Sequence, residues 1–177
     1  MYLMDVSGFV MHIKEAEHDS NPGIALQDIK SVSLEALSTE FKKYDSWKDL
    51  SDKDSKLVKF LDKHCYLVKN EPNIYSPIKL RMLGILWCQG TAEEKSTELY
   101  DAISPGKDFM VSTDKDFKPN IFQLLSFATQ TIYEEFKDSQ YPMDLLDSIE
   151  DRFDEMCEEF LDNIFECESR AQREDFI

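Results

Sequence analysis

Five glycines and six prolines in 177 residues leave little material for the many tight turns of a β-rich fold. Long apolar runs are missing too. Nothing approaches the roughly 20 residues of a membrane span, so no membrane insertion is expected. The four cysteines, Cys65, Cys88, Cys157 and Cys167, form no C-x-x-C pair and have no close His partner at metal-ligand spacing. At this size and number a disulfide scaffold is not expected either; reduced thiols are, at least half of them in the core. Basic residues are scarce: 20 Lys and Arg face 36 Asp and Glu, a net charge of −16. That charge repels nucleic acid and anionic lipid, and suits a basic partner or divalent cations.

Catalytic signatures are lacking as well. There is no G-x-S-x-G, P-loop or H-E-x-x-H. His12 and His18 fall in the least readable segment. His64 adjoins Cys65, and neighbours on a helix point about 100° apart, so the two make no ready dyad. A non-catalytic protein is expected, with no catalytic residues and no cofactor. The opening MYLMDVSGFVMHIKEAEHD turns acidic at once and lacks a basic n-region, which reads against a signal peptide and for a cytoplasmic location.

What the chain does have is helical periodicity, with 42% hydrophobic residues to sustain a core. After the turn signal Asn21-Pro22-Gly23, the residues Ile29, Val32, Leu34, Leu37, Phe41 and Tyr44 approximate a helical stripe. Ser51 before Asp52 and Asp54 reads as a helix start, followed by Leu57, Phe60, Leu61, Cys65 and Val68. Ser76-Pro77 predicts an N-cap and first turn for the strongly apolar Ile78–Trp87 segment, stopped by Gln89-Gly90. Thr91-Ala92-Glu93-Glu94 fits a capping box, and Ser104-Pro105-Gly106 ends that helix. Pro119 opens another, carried by Ile121, Phe122, Leu125, Ala128, Ile132 and Phe136. After Gln140-Tyr141-Pro142, a last stripe runs through Leu146, Ile149, Phe153, Met156, Phe160 and Ile164. No strand alternation of useful length occurs. The prediction is an all-α fold of about seven helices: an N-terminal extension over 1–27, a lobe over 28–90 and a second over 91–177.

Residues 104–115 sit between two helices, where a calcium loop would sit. Such a loop takes its oxygen ligands from positions 1, 3, 5, 7, 9 and 12, with Gly at 6 and a bidentate Glu at 12. With Val111 at the apolar position 8, Ser104 falls at 1, Gly106 at 3, Asp108 at 5, Phe109 at 6, Ser112 at 9 and Lys115 at 12. Asp108 is the sole carboxylate among them, and Lys115 places a cation where the Glu belongs. Any metal ligands here reduce to Asp108 and Ser112, and no metal is expected. Residues 68–76 offer Asn70, Glu71 and Asn73 without a closing Glu. Residues 44–54 offer Asp45, Asp49, Asp52 and Asp54 without a Gly turn.

The flanks of that loop carry a resemblance. LGILWCQGTAEEKSTELYDAI, residues 83–103, and the C-terminal RAQREDFI resemble the EF-hand superfamily, particularly its calmodulin, calcineurin-B and neuronal calcium sensor branch, over residues 30–177. The resemblance implies paired helix–loop–helix lobes, an apolar groove for a partner helix and, with the ligands lost, no calcium control.

The acidic C-terminal third points the same way. Residues 144–175 hold thirteen Asp or Glu against Arg152, Arg170 and Arg173, alternating with the apolar stripe. The bland reading is a solvated outer face. The sharper one is a docking surface for a basic or amphipathic helix, with Trp87, Phe122, Phe153, Met156, Phe160, Glu158 and Glu159 as contacts. The expected function is that of an interaction or scaffold subunit, with a cytoskeletal or cytoplasmic-tail partner. The alternatives are a calcium sensor with unconventional sites and an unrelated helical-bundle subunit of a larger assembly.

Overall fold

Seven α-helices carry the fold among the described residues, and the strands are two or three residues long. The computed structural model describes residues 4–24, 30–45, 47–63, 68, 71–111, 117–136, 148, 151–165 and 170–173. The all-α expectation therefore holds. The chain divides into two units, residues 1–105 and 106–177. The boundary read at 90/91 in the sequence falls inside the first of them.

The first unit is organised around α1 (Val6–Ser20). Asp5 caps this helix, its carboxylate accepting from Gly8 N at 2.7 Å. Val6, Phe9, Val10, Ile13, Ala16 and Glu17 are buried, one continuous helical face. Residues 6–20 are thus a central helix against which α2 (Leu34–Phe41), α4 (Pro77–Trp87) and α5 (Ala92–Ile103) pack. His12 and His18, read as lying in poorly structured chain, stand on it. A buried Glu17 and His12 interrupt the apolar face, which is why the sequence hid it.

Strand β1 (Val32–Ser33) pairs antiparallel with β2 (Ile74–Tyr75), Val32 opposite Tyr75. Each strand leads directly into a helix through a serine. Ser33 Oγ accepts from Ala36 N at 3.2 Å to cap α2, and Ser76 is the N-cap of α4, with Pro77 at its first position. Asn73 stands just before β2 in the left-handed region, φ 63°, and its carbonyl accepts from Leu34 N at 2.8 Å. The side chain of Asn21 closes the other loop, donating to Glu17 O at 3.0 Å and Ser31 O at 2.9 Å.

Between the two hairpin halves a 3₁₀ turn (Lys48–Ser51) buries Trp47 and Leu50. It also corrects the expected start of α3 (Lys56–Lys63). Ser51 ends the 3₁₀ turn, its hydroxyl donating to Lys48 O. Ser55 is the cap instead, its Oγ accepting from Val58 N at 3.0 Å. Helix α5 begins with the expected capping box: Thr91 N donates to Glu94 Oε2 at 2.7 Å, and Glu94 N to Thr91 Oγ1 at 3.2 Å.

The core of this unit is aromatic. Phe9, Phe41 and Trp47 are fully buried, with ring centroids 4.4 Å apart for Phe9–Trp47 and 5.1 Å for Phe9–Phe41. Each such burial contributes about 1.5–3 kcal/mol. Gly84 of α4 lets α1 approach: a Cβ there would lie 2.3 Å from Phe9 Cδ1.

The second unit pairs β3 (Phe109–Val111) with β4 (Arg170–Gln172), antiparallel, Val111 opposite Arg170. Helix α6 (Phe117–Phe136) packs on α7 (Phe153–Phe165). Met110, Phe117, Ile121, Leu124, Phe127, Cys157, Leu161 and Phe165 are its buried apolar residues. The sequence stripe on α6 is therefore rotated: Phe122, Leu125 and Ala128 are half-buried, and Leu124 and Phe127 take the inner face. Leu146 and Ile149 lie outside the described residues.

Candidate partner-binding face

Helix α7 carries two apolar stripes. Cys157, Leu161 and Phe165, spaced i, i+4, i+8, are buried. The other stripe is the one the sequence pattern singled out. Phe153 and Ile164 are half-buried, while Met156 is 45% and Phe160 38% exposed. The spacing 153, 156, 160, 164 is i, i+3, i+7, i+11, which keeps these residues on one helical face beside the buried row. Met156 and Phe160 form the exposed edge of that face.

The seam is floored and bounded by contacts with α6. Phe122 meets Phe153 edge to face, with centroids 6.2 Å apart and an interplanar angle of 85°. Lys118 forms an ion pair with Glu158 and lies over the Phe122 ring, 5.4 Å from its centroid. Beneath, Phe117 packs edge-on against Phe165 at 5.3 Å, which fixes the buried side of α7.

Carboxylates occupy the exposed side of the same helix. Residues 151–165 hold six acids, Asp151, Asp154, Glu155, Glu158, Glu159 and Asp162, against Arg152. All six are exposed. Arg152 is engaged with Glu155 at 3.0 Å and Lys118 with Glu158, which leaves Asp151, Asp154, Glu159 and Asp162; of these Glu159, three residues after Met156, borders the seam. Water screens such charges singly, but together they give this helix a negative potential.

Of the seven contact residues read from sequence, Phe122, Phe153, Met156, Glu158, Glu159 and Phe160 belong to the second unit and come together on α6 and α7. Trp87 belongs to the first unit, half-buried against Phe60 with ring centroids 5.8 Å apart. Met143 lies outside the described residues.

The loop candidates for metal separate further. Ser104 is buried and serves as the C-cap of α5, its N–H donating to Tyr100 O at 2.8 Å. The left-handed turn of the loop is at Gly106, φ 70°, while Phe109, at the position where a calcium loop turns, is already extended in β3. Asp108 is exposed and its carbonyl accepts from Arg173 N at 3.2 Å. Ser112 and Asn70 lie outside the described residues. In the acidic 44–54 stretch, Asp52 Oδ1 accepts from Asp54 N at 2.9 Å, an Asx turn that accounts for this pair locally.

Among the described residues two thiols are shielded, and Cys65 and Cys167 lie outside them. Cys88 is buried, and desolvation pushes its pKa up to about 12. Cys157 is buried, and desolvation followed by Asp154 and Glu158 raises its pKa as well. A thiol held protonated is a poor nucleophile and a poor metal ligand.

Sequence reasoning missed one constellation. His12, Glu15 and Glu40 bring Nδ1 and two carboxylate oxygens within 4.8 Å of one another. The signal was present in HIKEAEH, residues 12–18, where His12, Glu15 and His18 recur every third residue on one helix face.

Compared with known proteins, the chain matches no protein-family model, no curated protein and no solved structure.

Proposed function

We propose that this protein is a non-catalytic interaction subunit with a degenerate EF-hand-like fold, which holds a basic, amphipathic helical segment on α7 without calcium control. The observation that carries the partner is the second apolar seam of α7, Phe153-Met156-Phe160-Ile164, exposed at Met156 and Phe160 on a helix rich in carboxylates. An exposed apolar helical face suits a partner helix, and the acidic charge of α7 suits Lys and Arg on it. Segments of cytoskeletal proteins or of cytoplasmic tails are the class that fits. Among the described residues no helix is long and apolar enough to cross a membrane.

The EF-hand part of the reading rests on the two short ladders. In a calcium-binding pair the two loops meet through one antiparallel bridge. Here loops join at Val32–Tyr75 and again at Val111–Arg170. Counting Tyr75 as the eighth loop position puts Asn73, with its φ of 63°, at the sixth, where calcium loops turn. It also puts Ser76 at the ninth, as helix cap. The same count from Val32 puts the capping Ser33 at the ninth. These positions support the scaffold reading, although the anionic ligand set is missing from them. One observation favours a second reading, an unrelated helical bundle: the chain divides after α5 and not before it.

The test is calorimetric. A model helix of Leu and Lys with apolar residues at a/d spacing is titrated into the protein in chelator. Binding is expected, weakened severely by Met156→Asp with Phe160→Asp and weakening with salt. Equal binding by that variant would overturn the assignment of the face.

A further inference from the structure

The proposed partner face leaves the outer side of α1 unused, and the most chemically defined group of side chains in the first unit stands there. His12 is 6% exposed. Its ring lies against Tyr44, with centroids 4.7 Å apart, and edge-on to Phe41 at 5.8 Å, so its orientation is fixed by packing. Nδ1 points out of this aromatic seat at two carboxylates from different places: Glu40 Oε2 of α2 at 3.3 Å and Glu15 Oε2 of α1 at 3.5 Å.

We propose that His12, Glu15 and Glu40 form a binding site for a divalent transition metal of the zinc type. The spacing carries this. Ligands bonded at about 2.0 Å around a tetrahedral ion stand about 3.3 Å from each other. His12 Nδ1 keeps 3.3 and 3.5 Å to its two carboxylate oxygens, the edges of such a tetrahedron. The donor set of one imidazole and two carboxylates suits zinc and its neighbours; calcium takes oxygen alone. Three ligands leave a fourth position open. A cleft of about 440 Å³ borders the group, lined by Met11, Lys14, Glu15, His18, Asp19 and Glu40. It gives the ion a path and leaves the open position to water; His18, one turn beyond Glu15, lines the same cleft.

Glu40 already holds a cation. Lys43 Nζ is the competing cation, 3.2 Å from the same Oε2. It is half-exposed on a flexible stem, and a divalent ion of higher charge density displaces it into water.

Zinc chloride alone is titrated into the chelator-stripped full chain near neutral pH, with cobalt as a spectroscopic substitute. The expected result is one zinc per chain at micromolar or tighter affinity, a visible tetrahedral cobalt band, and no competition from excess magnesium or calcium. Glu15→Gln and Glu40→Gln each weaken binding by at least about tenfold, since ligand loss should cost no less than loss of an outer-shell partner. Glu15 is half-exposed, so its variant keeps the fold even if Glu40→Gln does not, and circular dichroism checks both. Absence of zinc binding, binding unchanged in Glu15→Gln, or equal competition by calcium overturns the proposal. None of these outcomes bears on the α7 face, which lies in the other unit.

Discussion

Replacing Gly84 with alanine sets two known effects against each other. In the middle of α4, alanine in place of glycine improves helix propensity by about 1 kcal/mol. Were α4 free on that side, the variant would be more stable. It is not free. The new Cβ would stand 2.3 Å from Phe9 Cδ1 and 2.8 Å from Cε1, distances that real Cβ atoms do not adopt. The ring cannot retreat, because Trp47 and Phe41 back it at 4.4 and 5.1 Å and all three are fully buried. Overpacking of this kind costs about 1–3 kcal/mol, and with the retreat blocked the upper end applies. The net expectation is a loss of about 2 kcal/mol. Urea unfolding followed by tryptophan fluorescence measures it, Trp47 being in ring contact with Phe9. Adding Phe9→Leu removes the ring edge, so the double variant should lose less than the sum, by about 1 kcal/mol or more. A Gly84→Ala protein as stable as the parent, or strict additivity, would refute the close α1–α4 packing.

Further substitutions probe electrostatics and capping. Glu17 is fully buried and paired with Arg81, joining α1 to α4; desolvation, only partly offset by Arg81, raises its pKa above the ordinary 4.5. Its favourable contribution is complete below that ordinary value and is lost as pH rises through the raised one. Arg81→Met leaves the carboxylate without its counter-charge and should cost about 3–5 kcal/mol near neutral pH. The cost should be smaller in acid, where Glu17 takes up its proton, and largely recovered by adding Glu17→Gln; urea midpoints at two pH values check this. For α3, Ser55→Ala should cost about 1 kcal/mol and Ser51→Ala far less, since it is Ser55 that caps the helix; thermal melts of the two single variants decide it.

Local signals were the legible part of the fold. Ser76-Pro77, the Thr91/Glu94 box and Ser104-Pro105-Gly106 each satisfy backbone groups within a few residues, so their effect is written where it acts. Capping by Ser55 over Ser51 was missed because Ser51 precedes Asp52 and Asp54 whereas Ser55 precedes Lys56, and what decides between them is a 3₁₀ turn held by burial of Leu50 and Trp47. Helix α1 was hidden by Glu17, whose partner Arg81 is 64 positions away. Pairings of two and three residues leave no periodicity to detect; their register depends on loops brought together by distant helices. On α7 the sequence showed an apolar stripe but not its side. Cys157, Leu161 and Phe165 take the interior, a row the sequence pattern did not separate from Phe153, Met156 and Phe160. The His12 cluster needed α2 beside α1, a tertiary fact.

The central claim is that the α7 seam holds a basic helix whether or not calcium is present. Nuclear magnetic resonance of the labelled chain, titrated with the Leu/Lys model helix once in chelator and once in millimolar calcium, tests it residue by residue. The account predicts shifts concentrated at Phe153, Met156, Phe160 and Ile164, the same in both conditions. Shifts elsewhere, or at these residues only when calcium is added, would contradict it.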